Sequence, residues 1–93
     1  MAVNKLELID IIVERSELNK KNVKMVIDIL FETIAENMIK GEVVNIKGFG
    51  KFIMRKQETI EKIDSETQEK LIIPEHLIPV FKASAELKDN INN

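Results

Sequence analysis

Four cations, Lys47, Lys51, Arg55 and Lys56, fall within "VVNIKGFGKFIMRK" (residues 43–56), and no acid lies among them. Ammonium and guanidinium groups spaced along an extended segment can hold a row of phosphates by charge and hydrogen bonding, with no covalent step. Lys20, Lys21, Lys24 and Lys88 add to this set. The next segment, "QETIEKIDSETQEK" (57–70), reverses the sign, with two positive residues against five negative. Other chemistry is poorly supplied. His76 is the only histidine and there is no cysteine, so a thiolate zinc site and a Cys nucleophile are both excluded. No local nucleophile motif accompanies His76, and its neighbour Glu75 would point to the opposite face of a strand. The three glycines form neither a phosphate-binding loop nor a dinucleotide fingerprint. The chain is therefore read as a non-enzyme with no cofactor and no metal.

The elements that must position these charges follow from periodicity and caps. Ninety-three residues make one small domain (1–93), and 44% hydrophobic residues with only four aromatics, all Phe, imply an aliphatic core. Asn4 with Glu7 resembles a capping box for a first helix reaching about Arg15. Asn19 caps a second helix, which Gly41 terminates. Its apolar stripe is wide enough to bury two sides, one against its own domain and one against a second copy. This assigns 4–41 to a helical dimerisation base, with Leu30, Phe31 and Ile34 in the interface. From Val43 the period becomes that of a strand, turning tightly at Gly48-Phe49-Gly50, where both glycines supply turn angles, with Phe49 and Phe52 as anchors. "DSET" is a second turn, with Asp64 and Ser65 as side-chain acceptors. "KLII" returns as a strand, Pro74 and Pro79 mark an irregular or edge segment, and Phe81 is the last core residue. Sheet and arm span 43–82, with the arm at about 57–70. Ser84 caps a closing helix over 84–91. The fold class is α+β: two N-terminal helices, a three-stranded antiparallel sheet with a long β-arm hairpin, and a short C-terminal helix.

Taken in this order, "GFGKF", "PVFKAS" and the "LK" of the last helix resemble the bacterial histone-like HU and integration host factor family, and the likeness covers nearly the whole chain. The resemblance implies an intertwined dimer whose helices form the base, whose sheets form a saddle, and whose two β-arms embrace the DNA minor groove. It adds Phe49, Phe52 and Phe81 to the dimer interface. The family's arm tip, Arg-Asn-Pro-Gln-Thr-Gly, becomes Ile63, Asp64, Ser65, Glu66, Thr67 and Gln68 here, so Ser65 replaces the proline that wedges between base steps. Arg55 keeps a basic arm position, whereas Gln57, Ile60, Ile63, Glu69 and Ile72 do not.

The expected function is nonspecific, architectural binding of double-stranded DNA by a homodimer, weak and salt-sensitive because the arm is acidic. Contacts are expected from Lys51, Arg55 and Lys56, flanked by Lys88, Lys20 and Lys21. The alternative is a protein-interaction variant, or a heterodimer partner of another HU-like chain, using a surface of Ile60, Ile63 and Ile72. The expected location is the cytoplasm, at the nucleoid, since the start "MAVNKLELID" has no apolar run suited to a signal or a membrane span.

Overall fold

The computed structural model describes residues 2–93. It is organised as two compact units, one ending at Glu36 and the other running over Asn37–Asn93. In the first unit, α1 (Lys5–Ser16) starts where the Asn4 side chain accepts a hydrogen bond from the Glu7 amide at 2.9 Å. It closes on Glu17, which adopts the left-handed conformation at φ 60° while its amide donates to the Val13 carbonyl at 3.0 Å. A second helix, α2 (Lys20–Ile39), starts on Asn19, whose Oδ1 accepts from the Lys21 amide at 2.7 Å and the Asn22 amide at 3.4 Å. Two ion pairs cross from α1 to α2, Lys5–Asp28 at 2.7 Å and Lys20–Asp10 at 3.0 Å. The Lys5 hydrogen bond holds the Asp28 carboxyl below the usual carboxylate range against an opposing desolvation, helped by the charges of Lys5 and Lys24.

Few apolar side chains are buried. Among the described residues these are Ile9, Val23, Ile34 and Met38. Leu30 and Phe31 of α2 remain 44% and 49% exposed, whereas Ile34, expected beside them, is already covered within the chain. The width of the α2 stripe is thus real, and its outer half is bare.

At its C-terminal end α2 is closed by a Schellman motif. The Gly41 amide donates to the Met38 carbonyl and the Glu42 amide to the Asn37 carbonyl, each at 2.9 Å, with Gly41 at φ 84°. Five strands follow: β1 (Val44–Ile46), β2 (Gly50–Gln57), β3 (Ile60–Ile63), β4 (Lys70–Ile73) and β5 (His76–Ala83). They form two antiparallel sheets, β1-β2-β5 and β3-β4. The expected three-stranded sheet is present, and the arm is a separate two-stranded ribbon paired over residues 60–73. Pro79 sits inside β5 opposite Met54; β5 is an edge strand, the place in a sheet where proline is tolerated.

The Gly48-Phe49-Gly50 expectation needs correction. The turn runs from Ile46 to Phe49, closed by the Phe49 amide on the Ile46 carbonyl at 3.0 Å, and of the two glycines only Gly48 has positive φ, at 80°. Gly50 opens β2 instead, and its reason is packing. A Cβ there would lie 2.5 Å from the Lys82 carbonyl oxygen and 2.6 Å from the Phe81 ring. That ring stands 5.2 Å from Phe49 and 5.0 Å from Phe52, tilted against both. Phe81 remains 38% exposed, so this cluster is half a core. The last helix, α3 (Ala85–Asn92), is capped as expected, the Ser84 hydroxyl accepting from the Leu87 amide at 3.0 Å.

Candidate nucleic-acid interface

Register and the two-residue period of strands sort the cations by face. Lys51 pairs with Asn45 on β1 and with Lys82 on β5, so these three residues share one face, and Arg55, opposite Ile78, follows on the same face. Lys56 falls on the other face and is held by Glu75 at 3.0 Å. It is therefore not brought together with Lys51 and Arg55. Lys20 and Lys21 belong to the first unit, where Lys20 is paired with Asp10.

The end of the sheet next to α3 brings three lysines together. Asn45, Gly50, Lys51, Phe81, Lys82 and Lys88, with Ala83 and Ser84, line an open groove of about 500 Å³. Its geometry is fixed from several sides. Gly50 lets Phe81 close over the sheet end, the Ser84 amide donates to the Phe49 carbonyl at 2.9 Å, and the Ser84 cap turns α3 so that Lys88 reaches the rim. None of Lys51, Lys82 and Lys88 enters an ion pair among the described residues. Like charges directly opposite on neighbouring strands repel, so Lys51 and Lys82 form an unfavourable pair until an anion lies between them. One acid, Glu86, stands nearby on the Gly48 side. The groove suits oxyanions presented in a row and offers no group placed for acid–base or nucleophilic work. His76 is exposed, with its Nδ1 2.9 Å from the Pro74 carbonyl oxygen. No group of three or more His, Cys, Asp or Glu among the described residues could hold a metal ion. Lys82 was not singled out from sequence; only the β2–β5 register reveals that it faces Lys51.

The arm is built differently. Its strands pair Ile60 with Ile73, Glu61 with Ile72, Lys62 with Leu71 and Ile63 with Lys70. Asp64 organises the tip: its Oδ1 accepts from the Glu66 amide at 2.8 Å and the Thr67 amide at 3.3 Å, and its carbonyl accepts from Gln68 at 2.8 Å. The second side-chain acceptor is Thr67, bonded by the Glu69 amide at 3.3 Å; Ser65 contributes its carbonyl, to Gln68 Nε2 at 3.2 Å. Gln68 is left-handed at φ 62°, the conformation that glycine adopts without penalty. Ile60 lies on one face of the ribbon, whereas Ile63 and Ile72 lie on the other. Residues 60 and 63 are an odd number of positions apart, so the supposed continuous isoleucine surface is split between two sides.

A lysine groove at a sheet end, a capped helix beside it and a two-stranded arm meet a family model described as bacterial DNA-binding protein, which matches residues 3–92. The chain belongs to this family. Its HU relatives include DNA-binding protein HU of Thermotoga maritima, 38% identical over 96% of this chain and 99% of the relative, and that of Clostridium pasteurianum, 40% identical over 97% and 99%. Among solved structures, the Anabaena HU–DNA cocrystal matches with a TM-score of 0.88 at 32% identity, covering 96% of this chain and 97% of that one. HU from Thermotoga maritima matches with a TM-score of 0.68 at 34% identity, covering 96% and 98%. The HU fold expected from the sequence is thus the fold of this chain.

Proposed function

We propose that this chain is a homodimeric, nonspecific architectural DNA-binding protein of the nucleoid, whose affinity comes from the sheet end and not from its arms. The observation that carries this reading is the groove in which Lys51, Lys82 and Lys88 converge without carboxylate partners, with Arg55 further along the same face. The relatives are named as DNA-binding proteins, and one was solved with DNA. The arm, with five acids and two lysines over residues 57–70, repels a polyanion and leaves the grip weak.

Apolar side chains left bare on α2 support the dimer. Exposed Leu30 and Phe31 are its anchors on α2. Sedimentation of Phe31→Glu checks this: a monomer or an unfolded chain is expected, and a well-folded dimer would overturn the placement.

DNA binding is tested by titrating labelled duplex, intact and nicked, across a range of salt. Phosphate contacts from two such grooves give a log–log salt slope below about 6 in magnitude. Combined Lys51→Gln, Lys82→Gln and Lys88→Gln changes weaken binding to every sequence alike, because phosphate contacts carry no base information. Failure of the wild-type protein to bind any duplex even at low salt would overturn the reading. The protein-interaction alternative loses its main support, since Ile60 is not on the side of Ile63 and Ile72.

A further inference from the structure

We propose that the acidic arm of one molecule docks into the lysine groove of a second copy of this chain, competing there with DNA. The inference rests on the proposed function only in taking the groove as the place where DNA sits. On the arm, Glu61 is neutralised by Lys70 at 3.3 Å and Asp64 is engaged by the turn amides, but Glu58, Glu66 and Glu69 enter no ion pair among the described residues. In the groove, Lys51, Lys82 and Lys88 likewise enter no ion pair among the described residues, though Glu86 stands nearby on the Gly48 side. Each chain therefore carries three anions on its arm and three cations in its groove that are without ion pairs. Carboxylates offer lysine the same charged, hydrogen-bond-accepting oxygens as phosphate does.

The apolar parts correspond as well. Phe81 and Ala83 line the groove among the lysines, while Ile63, next to the tip, is 70% exposed. The tip is compact, since the Asp64 amide donates to the Glu69 carbonyl at 2.8 Å and closes the ribbon to the width of two strands. A chain cannot easily fill its own groove. The groove lies at the Gly50–Ala83 end of β2 and β5, and the arm leaves from the Gln57–His76 end. The six steps from Lys51 to Gln57 separate the two by about 20 Å along the strand. Docking is therefore between molecules, and a contact between two different surfaces leaves a free arm and a free groove from which assembly continues.

The test is sedimentation velocity of the full chain without DNA, from low salt upward, beside a Glu58→Gln/Glu66→Gln/Glu69→Gln variant with dimer content and circular dichroism as folding controls. Wild type is expected to form species larger than the dimer at low salt and to lose them as the screening length falls to about 8 Å near physiological salt. The triple variant should associate roughly 3- to 100-fold more weakly, and added duplex should dissolve the wild-type assemblies. A charge-swapped pair sharpens the result. Lys51→Glu/Lys82→Glu and Glu66→Lys/Glu69→Lys variants should each fail to assemble alone and assemble when mixed. Wild type that stays dimeric at every salt concentration, or triple-variant assemblies as strong as wild type, would overturn the inference. Duplex binding is read separately at the same salt. Binding without assembly removes this inference alone, and assembly without any duplex binding removes the DNA reading and leaves the arm–groove contact standing.

Discussion

The sheet end and the arm are both antiparallel β-structure, yet they are held together by different means. At the sheet end, charge is mounted on packing that reaches across the chain: Phe81 over Gly50, Phe49 and Phe52 beside it, and Ser84 tied to Phe49. The arm is held by its own turn, its pairing and one ion pair, and Ile63, Leu71 and Ile72 face water at half exposure or more. Positive charge sits on the rigid part and negative charge on the part that reaches. On the proposed reading, the body would grip a polyanion and the extended segment would be left for other contacts.

The largest expected effect comes from removing that contrast of sign. Converting Glu58, Glu61, Glu66 and Glu69 to Lys makes both regions cationic, and duplex affinity at low salt should rise by about tenfold or more with a salt slope steeper by several units. A slope unchanged within about one unit would show that the arms never reach the backbone. Next in size is Gly50→Ala, whose added methyl pushes the Lys82 carbonyl and the Phe81 ring away from β2 and should cost about 2–3 kcal/mol in denaturant unfolding. Asp64→Ala supplies the contrast: it removes two turn hydrogen bonds at about 1 kcal/mol, read as faster amide exchange in residues 60–73 while the sheet keeps its protection. Equal losses at both sites would erase the distinction between a packed region and a self-contained one.

Smaller gains are expected at the two left-handed non-glycine residues. Glu17→Gly and Gln68→Gly each relieve about 1 kcal/mol of backbone strain. The first should raise the global unfolding midpoint; the second should slow exchange in the arm alone. The smallest effect is Asp28→Asn. Because the Asp28 carboxyl is depressed below its ordinary value of 3.8, its stabilising contribution is full above that pH and is lost as pH falls through the lower folded value. Wild type should therefore lose its advantage over the variant on acidification, followed by denaturant midpoints between neutral pH and about pH 3.

The features legible in the sequence were those whose cause is local. Asn4, Asn19 and Ser84 cap their helices, Gly41 ends α2, and Asp64 holds the tip, because each acts on amides within a few residues of itself. Gln68, placed where the resemblance puts a glycine, adopts the left-handed conformation that glycine favours. The illegible features depend on partners far along the chain. Gly50 reads as a turn glycine until Phe81, distant in sequence, is laid over it. Lys82 is one lysine among many until the register sets it opposite Lys51. The separation of Lys56 from Lys51 and of Ile60 from Ile63 followed from period-two counting, once the strands were known to be unbroken across those positions.

The ribbon also shapes the route by which the sheet forms. Residues 58–75 separate β2 from β5, and bringing Gln57 to His76 through a floppy segment of that length is entropically costly. The Asp64 turn removes part of that cost in advance: once Ile60 has met Ile73, only two residues on each side remain loose. Shortening the effective loop in this way lowers the closure cost by about 1 kcal/mol, since that cost grows with the logarithm of length. Local pairing then precedes distant pairing, the order that speeds two-state folding. Whatever the arm binds in the folded protein, loop-closure entropy favours a folding order in which the hairpin brings β5 to β2 in register.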